Sequence, residues 1–501
     1  MPWSLFQENI FTFIDSGEGN AIIEAVAGSG KTTTIVEAIK HTRGNNVFLA
    51  FNKAIAEELK SRGVNARTFH SLTYNITTRS RNVRTVDQDK SAKLLDEILQ
   101  WEFDQREIKD LYAEKQMYKA FVCKLVGLGK QVGVDALVRD TVEVWNAIIE
   151  HHDLELESEV ASYERAIDLA SKVLGYGNRP DVPLVDFDDM LYLPVRDGLA
   201  LPTFDFVFVD EAQDTNAIQR ALLRKILKPT SRLIAVGDPA QAIYGFRGAD
   251  SDSLKRIADD FNCITLPLSV TYRCATSIVE RAQAYVPHIL AREAAPVGIV
   301  QELGTDWKLQ DFAPDNLIVC RTTKPLIALA YRFLRARIPA TLLGRDIGAG
   351  LKSLIKKMNA TNLEQLESKL DAYTTREIEK AKAKGDDRKV EAIQDKTDTI
   401  LFLVDSLEED RRTIDNLLGI IDQLFASREN AVILSTIHKS KGLEADTVYW
   451  LNSSQCPAKW ARRDWQKGQE ANLCYVAITR AINNLILIED GAAQLKHPEE
   501  A

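Results

Sequence analysis

The sequence predicts an α/β protein with two doubly wound parallel-sheet cores, each interrupted by a helix-rich insertion. Three observations predict it. In the first half of the chain, short apolar runs ending in polar, loop-forming residues alternate with helix-like segments; "NNVFLAFN", "FDFVFVDEAQD" and "SRLIAVGDPAQ" read as buried parallel strands. The stretch "AIIEAVAGSGKTTTIVEAIKH" sets a small-residue loop between an apolar run and a helix, the order of a phosphate cradle. A second set of runs, "DNLIVCRT", "AVILSTIHKS", "DTVYWLN" and "NNLILIED", lies later in the chain and implies a second core.

The elements follow in order. "KTTTIVEAIKH" and "KAIAEELKSRG" are amphipathic helices, the second closed by Gly63 as C-cap. The first core is expected over residues 1–74 and 184–265, with a charged, aliphatic-rich helical insertion at 75–183. The second core is expected over 266–349, with the helix from Lys324 to Arg337, and over 430–501, with a smaller helical insertion at 350–429. In that insertion "TTREIEKAKAKGDDRKVEAIQDK" interleaves acids and bases at helical spacing, which predicts a solvated or coiled-coil-like helix.

Composition narrows the class. With 501 residues, 45% apolar and 27% charged, the chain is a globular protein with material for several cores. Its apolar runs are far shorter than the roughly 18 residues of a membrane span, so no membrane is expected. "MPWSLFQENIF" has no basic start before an apolar core, so no secretory signal is expected. The six cysteines are scattered without a CxxC pair, which predicts reduced thiols in a cytoplasmic protein, or a nuclear one in a eukaryote. A net charge of −9 argues against indiscriminate polyanion binding but is compatible with a local basic groove. Arg79, Arg81 and Arg84 fall close together and form one candidate basic cluster; Lys439 and Lys441 form another.

The loop Ala27-Gly28-Ser29-Gly30-Lys31-Thr32-Thr33 carries the nucleotide chemistry. Gly28 and Gly30 let backbone N–H groups turn inward around phosphate oxygens at a helix N-terminus. Lys31 reaches the β- and γ-phosphates of ATP, and Thr32 offers a hydroxyl to Mg²⁺. In "VFVDEAQD", Asp210 ends a strand where it can hold Mg²⁺ through water, and Glu211, also in the metal set, can orient or deprotonate the attacking water. Holding phosphate thereby becomes hydrolysis.

With these motifs in place, the chain resembles the UvrD/Rep branch of superfamily 1 helicases. "AVAGSGKTTT", "FNKAIAEEL", "ARTFHSL", "DFDDML", "VFVDEAQDTN", "VGDPAQAIYGFRGAD", "VTYRCATSI", "STIHKSKGLEAD" and "CYVAITRA" occur in that branch's order between Gln7 and Arg480. The wording of "FNKAIAEE" and "TFHSL" is similar to the F-box DNA helicase motor and small phage or bacterial relatives. The resemblance implies two RecA-like cores with ATP between them and single-stranded DNA across them. It implies that Gln7 reads the adenine, Tyr272 stacks on it and Glu444 meets the ribose. Arg273 and Arg480 become arginine fingers, and Gln241 senses the γ-phosphate. On the DNA side it implies Asn52, Lys53, Thr68, His70, Ser71, Tyr244, Phe246, Arg247 and His438.

There are departures. Phe246 stands where the family has Trp, which reduces stacking area. In "LAFNKA" the Phe is shifted by one position, so Phe51 is not carried over. The second insertion is smaller than the family's large regulatory domain. The resemblance implies an ATP-dependent helicase moving 3′→5′ on single strands, a monomeric motor acting on single-stranded DNA and its junctions with duplex. Its protein partners would belong to repair, replication or recombination. Two other readings stay open: a translocase that strips bound proteins without efficient unwinding, and a nucleotide-switched DNA-binding scaffold. No residue distinguishes an RNA track.

Overall fold

The structure, a computed structural model, describes residues 3–152, 154, 156, 161–243, 253–383, 387–462 and 464–490. The chain divides into two units: residues 1–25 with 30–268, and residues 26–29 with 269–501.

In the first unit, α1 (Leu5–Ser16) leads into β1 (Asn20–Ala25), α2 (Lys31–Lys40), β2 (Asn46–Leu49), α3 (Lys53–Ser61) and β3 (Ala66–Arg67). The helices α4 (Phe69–Ser80), α5 (Lys90–Asp104), α6 (Leu111–Val132), α7 (Val142–His151), α8 (Tyr163–Gly177) and α9 (Phe187–Arg196) precede β4 (Phe204–Val209). Then come α10 (Ala217–Ile226), β5 (Leu227–Gly237), α11 (Ser253–Phe261) and β6 (Cys263–Leu268). The strands form one parallel sheet in the order β3-β2-β4-β5-β1-β6.

Side chains alternate across a strand, so each strand feeds two cores. Val47, Leu49, Val207, Val209, Leu233 and Ala235 face Leu94, Leu99, Val122, Leu125 and Trp145 of the insertion helices. Phe48, Phe208, Ile234 and Val236 face Ile10 and Ile14 of α1 and Ile35 and Ala38 of α2. The first insertion is therefore the cover of one sheet face, not a lobe hung on a loop. α4 starts at Phe69, and β6 pairs with β1 through Leu268.

The second unit contains β7 (Val270–Thr271), α12 (Thr276–Ala282), β8 (Leu290–Ala291), β9 (Ile299–Gly304), β10 (Leu317–Cys320), α13 (Lys324–Arg335) and β11 (Ala340–Leu342). It continues with α14 (Arg345–Lys357), α15 (Leu363–Ala383), α16 (Asp387–Asp405), α17 (Ile414–Leu424), β12 (Val432–Thr436), β13 (Ala445–Leu451), α18 (Asp464–Ile478) and β14 (Ala481–Ile488). Its main sheet is again parallel, ordered β11-β12-β10-β13-β14-β9.

The second insertion departs from a purely solvated helix. Leu363, Leu366 and Leu370 of α15 and Ile400, Leu403 and Val404 of α16 are buried in the unit's core with Phe333 and Leu417. These residues flank the charge-rich stretch on which the solvated or coiled-coil-like reading rested; within that stretch Ala381 and Ile393 are also buried, while Glu377 pairs with Arg376 and Lys380. No helix among the described residues is long and apolar enough to cross a membrane.

The basic cluster at the end of α4 is corrected. Arg81 turns inward as the C-cap of α4 and is 4% exposed. Its guanidinium donates to the carbonyls of Asn178 and Arg179 and pairs with Asp197 at 2.8 Å. Only Arg79 and Arg84 remain on the surface, because a helix end sends successive side chains to different sides. Lys439 likewise spends its charge on Asp346 at 2.7 Å.

Candidate nucleotide site

Sheet order explains where the first unit's functional residues meet. β4, β5 and β1 are neighbours, so their carboxyl ends bring Asp210, Asp238 and the glycine loop to one edge. Gly28 and Gly30 have φ of 69° and 76°, a region that costs any residue with a Cβ. Gly30 is the N-cap of α2, so Lys31, Thr32 and Thr33 form its first turn, where a helix's positive end favours an anion. Ser29 is fully buried and its hydroxyl has no hydrogen-bond partner. An orphaned donor inside a phosphate-type loop fits a phosphate oxygen.

Lys31 Nζ stands 3.3 Å from Glu211 Oε1. Glu211 has φ 49°, a left-handed conformation uncommon for a residue with a side chain; such strain clusters at functional sites. Gln213 Nε2 donates to Glu211, and Gln213 Oε1 accepts the Asp238 N–H at 3.1 Å. Asp238 Oδ2 accepts from Gln241 Nε2 at 2.6 Å. One chain of contacts thus runs Lys31–Glu211–Gln213–Asp238–Gln241.

Its electrostatics are lopsided. Burial, and after it the Glu211 charge, push the Asp210 carboxyl up to about 7. Burial raises Asp238 as well. Burial acts against the charge on Lys31, but Glu211, Asp238 and Asp210 outweigh it and hold Lys31 above its ordinary value. Three acids around one lysine leave negative charge uncompensated. Among the described residues no set of three or more His, Cys, Asp or Glu can hold a metal alone. Mg²⁺ does not ask for one: it binds through one or two protein oxygens, waters and substrate phosphates. Thr32 with Asp210 and Glu211 fits that donor set.

Gln7 is 3% exposed and already engaged, its amide oxygen accepting from Ser4 N at 3.0 Å and its amide nitrogen donating to Thr34 at 2.9 Å. It ties α1 to α2. In the second unit, Arg273 pairs with Glu444 at 2.5 Å and donates to the Thr479 carbonyl at 3.2 Å. Arg480 is 1% exposed, donating to the carbonyls of Val476 and Leu443 at 3.0 Å each. Tyr272 N donates to the Gly28 carbonyl at 2.8 Å, and Ala27 N donates to the Tyr475 hydroxyl at 2.9 Å.

The residues assigned to the DNA side are partly helix caps. Asn52 Oδ1 caps α3 by accepting from Ile55 N at 2.9 Å, and exposed Lys53 opens that helix. Thr68 and Ser71 close a reciprocal capping box on α4. His70 meets the Phe187 ring edge-on at 6.1 Å, and burial lowers its pKa. His438 is half-buried just after β12. Tyr244, Phe246 and Arg247 lie outside the described residues.

Sequence reasoning passed over several residues. Gln213 and Asp238 sit inside the quoted strings "DEAQD" and "GDPAQ", and their polar character beside a strand end was the signal. Phe187, in "DFDDML", is 49% exposed, and Phe51 is 53% exposed. An aromatic left open beside a capped helix start is a candidate stacking surface.

Comparison with known proteins gives two family matches, the UvrD/REP helicase N-terminal domain over residues 6–262 and the UvrD-like helicase C-terminal domain over 351–490. Similar relatives include ATP-dependent DNA helicase PcrA of Leuconostoc citreum, 25% identical over 55% of this chain and 38% of the relative. A probable DNA helicase II homolog of Mycoplasma pneumoniae is 24% identical over 95% of this chain and 82% of the relative. DNA helicase II of Escherichia coli is 26% identical over 53% of this chain. The alignments thus span only 38% of the length of the Leuconostoc and Escherichia relatives.

Proposed function

The chain belongs to the UvrD/REP helicase family, and from that premise we propose that it is an ATP-dependent DNA motor that moves 3′→5′ on single strands and unwinds duplex. The observation that carries the reading is the contact chain Lys31–Glu211–Gln213–Asp238–Gln241 at the carboxyl ends of β1, β4 and β5.

Lys31 and the N–H groups of the glycine loop bind the β- and γ-phosphates, and Ser29 gives its unpartnered hydroxyl to the same group. Mg²⁺, held by Thr32, Asp210 and Glu211, would supply charge neutralisation across the phosphates. Once Lys31 turns to phosphate, Glu211 is released to orient the attacking water and take its proton. Gln213 keeps Glu211 aimed, while Gln241 and Asp238 carry the change in that contact toward the segment after β5. Gln7 and Tyr272 hold the adenine and Glu444 the ribose. Arg273 and Arg480 act as arginine fingers, an effect on the order of 10³–10⁵ in rate. To do so they exchange their present carbonyl and Glu444 partners for phosphate.

On the DNA side, Lys53 and the ends of α3 and α4 meet phosphates, while Phe51, Phe187 and His70 offer ring surface to bases. Tyr244, Phe246, Arg247 and His438 complete the track. The test is ATP turnover with and without single-stranded DNA, with polarity read from strands blocked at one end. Strong stimulation plus separation of a 3′-tailed partial duplex is expected. Stimulation without strand separation moves the reading to a protein-stripping translocase. Turnover indifferent to DNA overturns it in favour of a nucleotide-switched scaffold.

A further inference from the structure

The six cysteines are scattered in sequence, but two of them meet in space. Cys456 follows β13 by five residues, and Cys474 lies in α18. Their Sγ atoms stand 3.3 Å apart. Both thiols are buried, with Cys474 fully closed and Cys456 keeping 7% of its surface open. A disulfide needs an S–S distance of about 2.0 Å, so the sulfurs are little more than an ångström from bonding distance.

The surroundings hold the two sulfurs in place. Glu470, one turn before Cys474 on α18, accepts from Ala458 N at 2.8 Å and pairs with Arg321 at 2.7 Å. Its carboxylate also lies 4.0 Å from Cys456 Sγ. This fixes the Cys456 segment against the helix that carries Cys474. Arg321 is itself paired with Glu391 of α16 and lies over the Trp460 ring at 5.4 Å. The hydroxyl of Tyr285 also contacts Cys474.

We propose that Cys456 and Cys474 form a redox modification site: a dithiol that a hydroperoxide converts to a disulfide, slowing ATP turnover. The contact with Cys456, and against burial the contact with Tyr285, hold the Cys474 thiol below its ordinary value, while the same Cys456–Cys474 contact pushes Cys456 up. Cys474 therefore ionises first and is the attacking sulfur. Its thiolate attacks one peroxide oxygen; the O–O bond breaks, water or an alcohol leaves, and Cys474 becomes a sulfenic acid. The Cys456 sulfur then attacks the Cys474 sulfur, the S–O bond breaks and a second water leaves. The two thiols lose two electrons and two protons, which the peroxide takes up.

The link to turnover is local. Cys474 directly precedes Tyr475, whose hydroxyl accepts the Ala27 N–H of the glycine loop, and the same helix ends two residues before Arg480. Drawing Cys474 toward the Cys456 segment displaces that turn of α18. This half of the inference rests on the ATPase reading above; bond formation does not.

The experiment treats the full chain with hydrogen peroxide and maps its peptides before and after reduction with dithiothreitol. A Cys456–Cys474 cross-linked peptide two hydrogens lighter is expected, with DNA-stimulated ATP turnover falling and returning on reduction. Cys456→Ser and Cys456→Ala should both lose the cross-link and keep their turnover in peroxide at doses that slow the parent chain. A parent chain whose other thiols oxidise while this pair stays reduced overturns the site. A cross-link that leaves turnover unchanged overturns its control of the motor. If the reduced chain shows no ATPase, the functional reading fails instead, and the peptide map still decides the site.

Discussion

Two buried ionic clusters in the first unit use the same residue types and differ in their charge balance. At the carboxyl ends of β1, β4 and β5, Lys31 faces three acids: Asp210, Glu211 and Asp238. Beneath α5, α6 and α9, Lys90 and Lys130 face Asp186 and Asp189 with contacts of 2.5–2.7 Å. In the first cluster burial wins, and Asp210 and Asp238 are pushed up. In the second, burial also opposes the charge on Asp189, but Lys130 and Lys90 overcome it and hold the carboxyl below its ordinary range. A balanced buried cluster is structural; an unbalanced one is unfinished, and its missing charge describes its ligand. The lesson is that burial alone does not mark a functional site. The sum of charges does.

The largest expected effect breaks the unbalanced cluster chemically while sparing the fold. Glu211→Gln keeps the size and a polar contact to Lys31 but removes the proposed base, so DNA-stimulated ATP turnover is expected to fall on the order of 10²–10⁴-fold. Nucleotide binding and the urea unfolding midpoint should stay near the parent's. Lys31→Ala should likewise abolish turnover while DNA binding survives; a variant that still unwound DNA would remove the loop from the mechanism. Next in size is the balanced cluster, where the consequence is reversed. Lys130→Met strands Asp186 without its cation and leaves Asp189 with Lys90 alone, and should cost about 3–5 kcal/mol of unfolding free energy. Turnover per folded molecule should hold. A Lys130→Met protein as stable as the parent would refute the distinction between the two clusters.

Most of the fold was legible because its strands are short apolar runs ending in loop residues, a pattern that parallel sheets impose. The Lys31 loop and "DEAQD" stand out as a candidate site in the sequence because their residues lie within contiguous strings. What stayed hidden depends on which way a side chain turns. Arg81 looked like part of a basic patch and is an internal brace to Asn178, Arg179 and Asp197. Asn52, Thr68 and Ser71 carry family-like strings, yet their side chains cap helices. The pairing of Lys90 and Lys130 with α9 joins residues 99 and 56 positions apart, and no local periodicity encodes it. The contact between Cys456 and Cys474 was invisible for the same reason.

The smallest expected effect sits at the rim of the balanced cluster and tests the charge argument by titration. Asp188 lies beside Asp186 and Asp189, a third acid where the two lysines are already matched. Burial, and then the Asp186 charge, push its carboxyl up to about 6 from 3.8, with Gln131 donating to it at 3.1 Å. The folded state therefore binds this proton more tightly than the unfolded chain does. Its stabilising contribution is complete below the unfolded value near pH 4 and is lost as pH rises through 6. A shift of roughly two units corresponds to at most about 3 kcal/mol, and partial solvent access reduces it to about 1–2 kcal/mol. Asp188→Asn, which fixes the neutral form, should thus be more stable than the parent by about 1–2 kcal/mol at pH 8. The advantage should shrink through pH 6 and vanish near pH 4, as read from urea unfolding at each pH. An advantage independent of pH would mean that packing, not charge, sets the cost. A loss at pH 8 would mean that the ionised carboxylate serves the N-terminus of α9, and that the cluster is balanced by three acids rather than two.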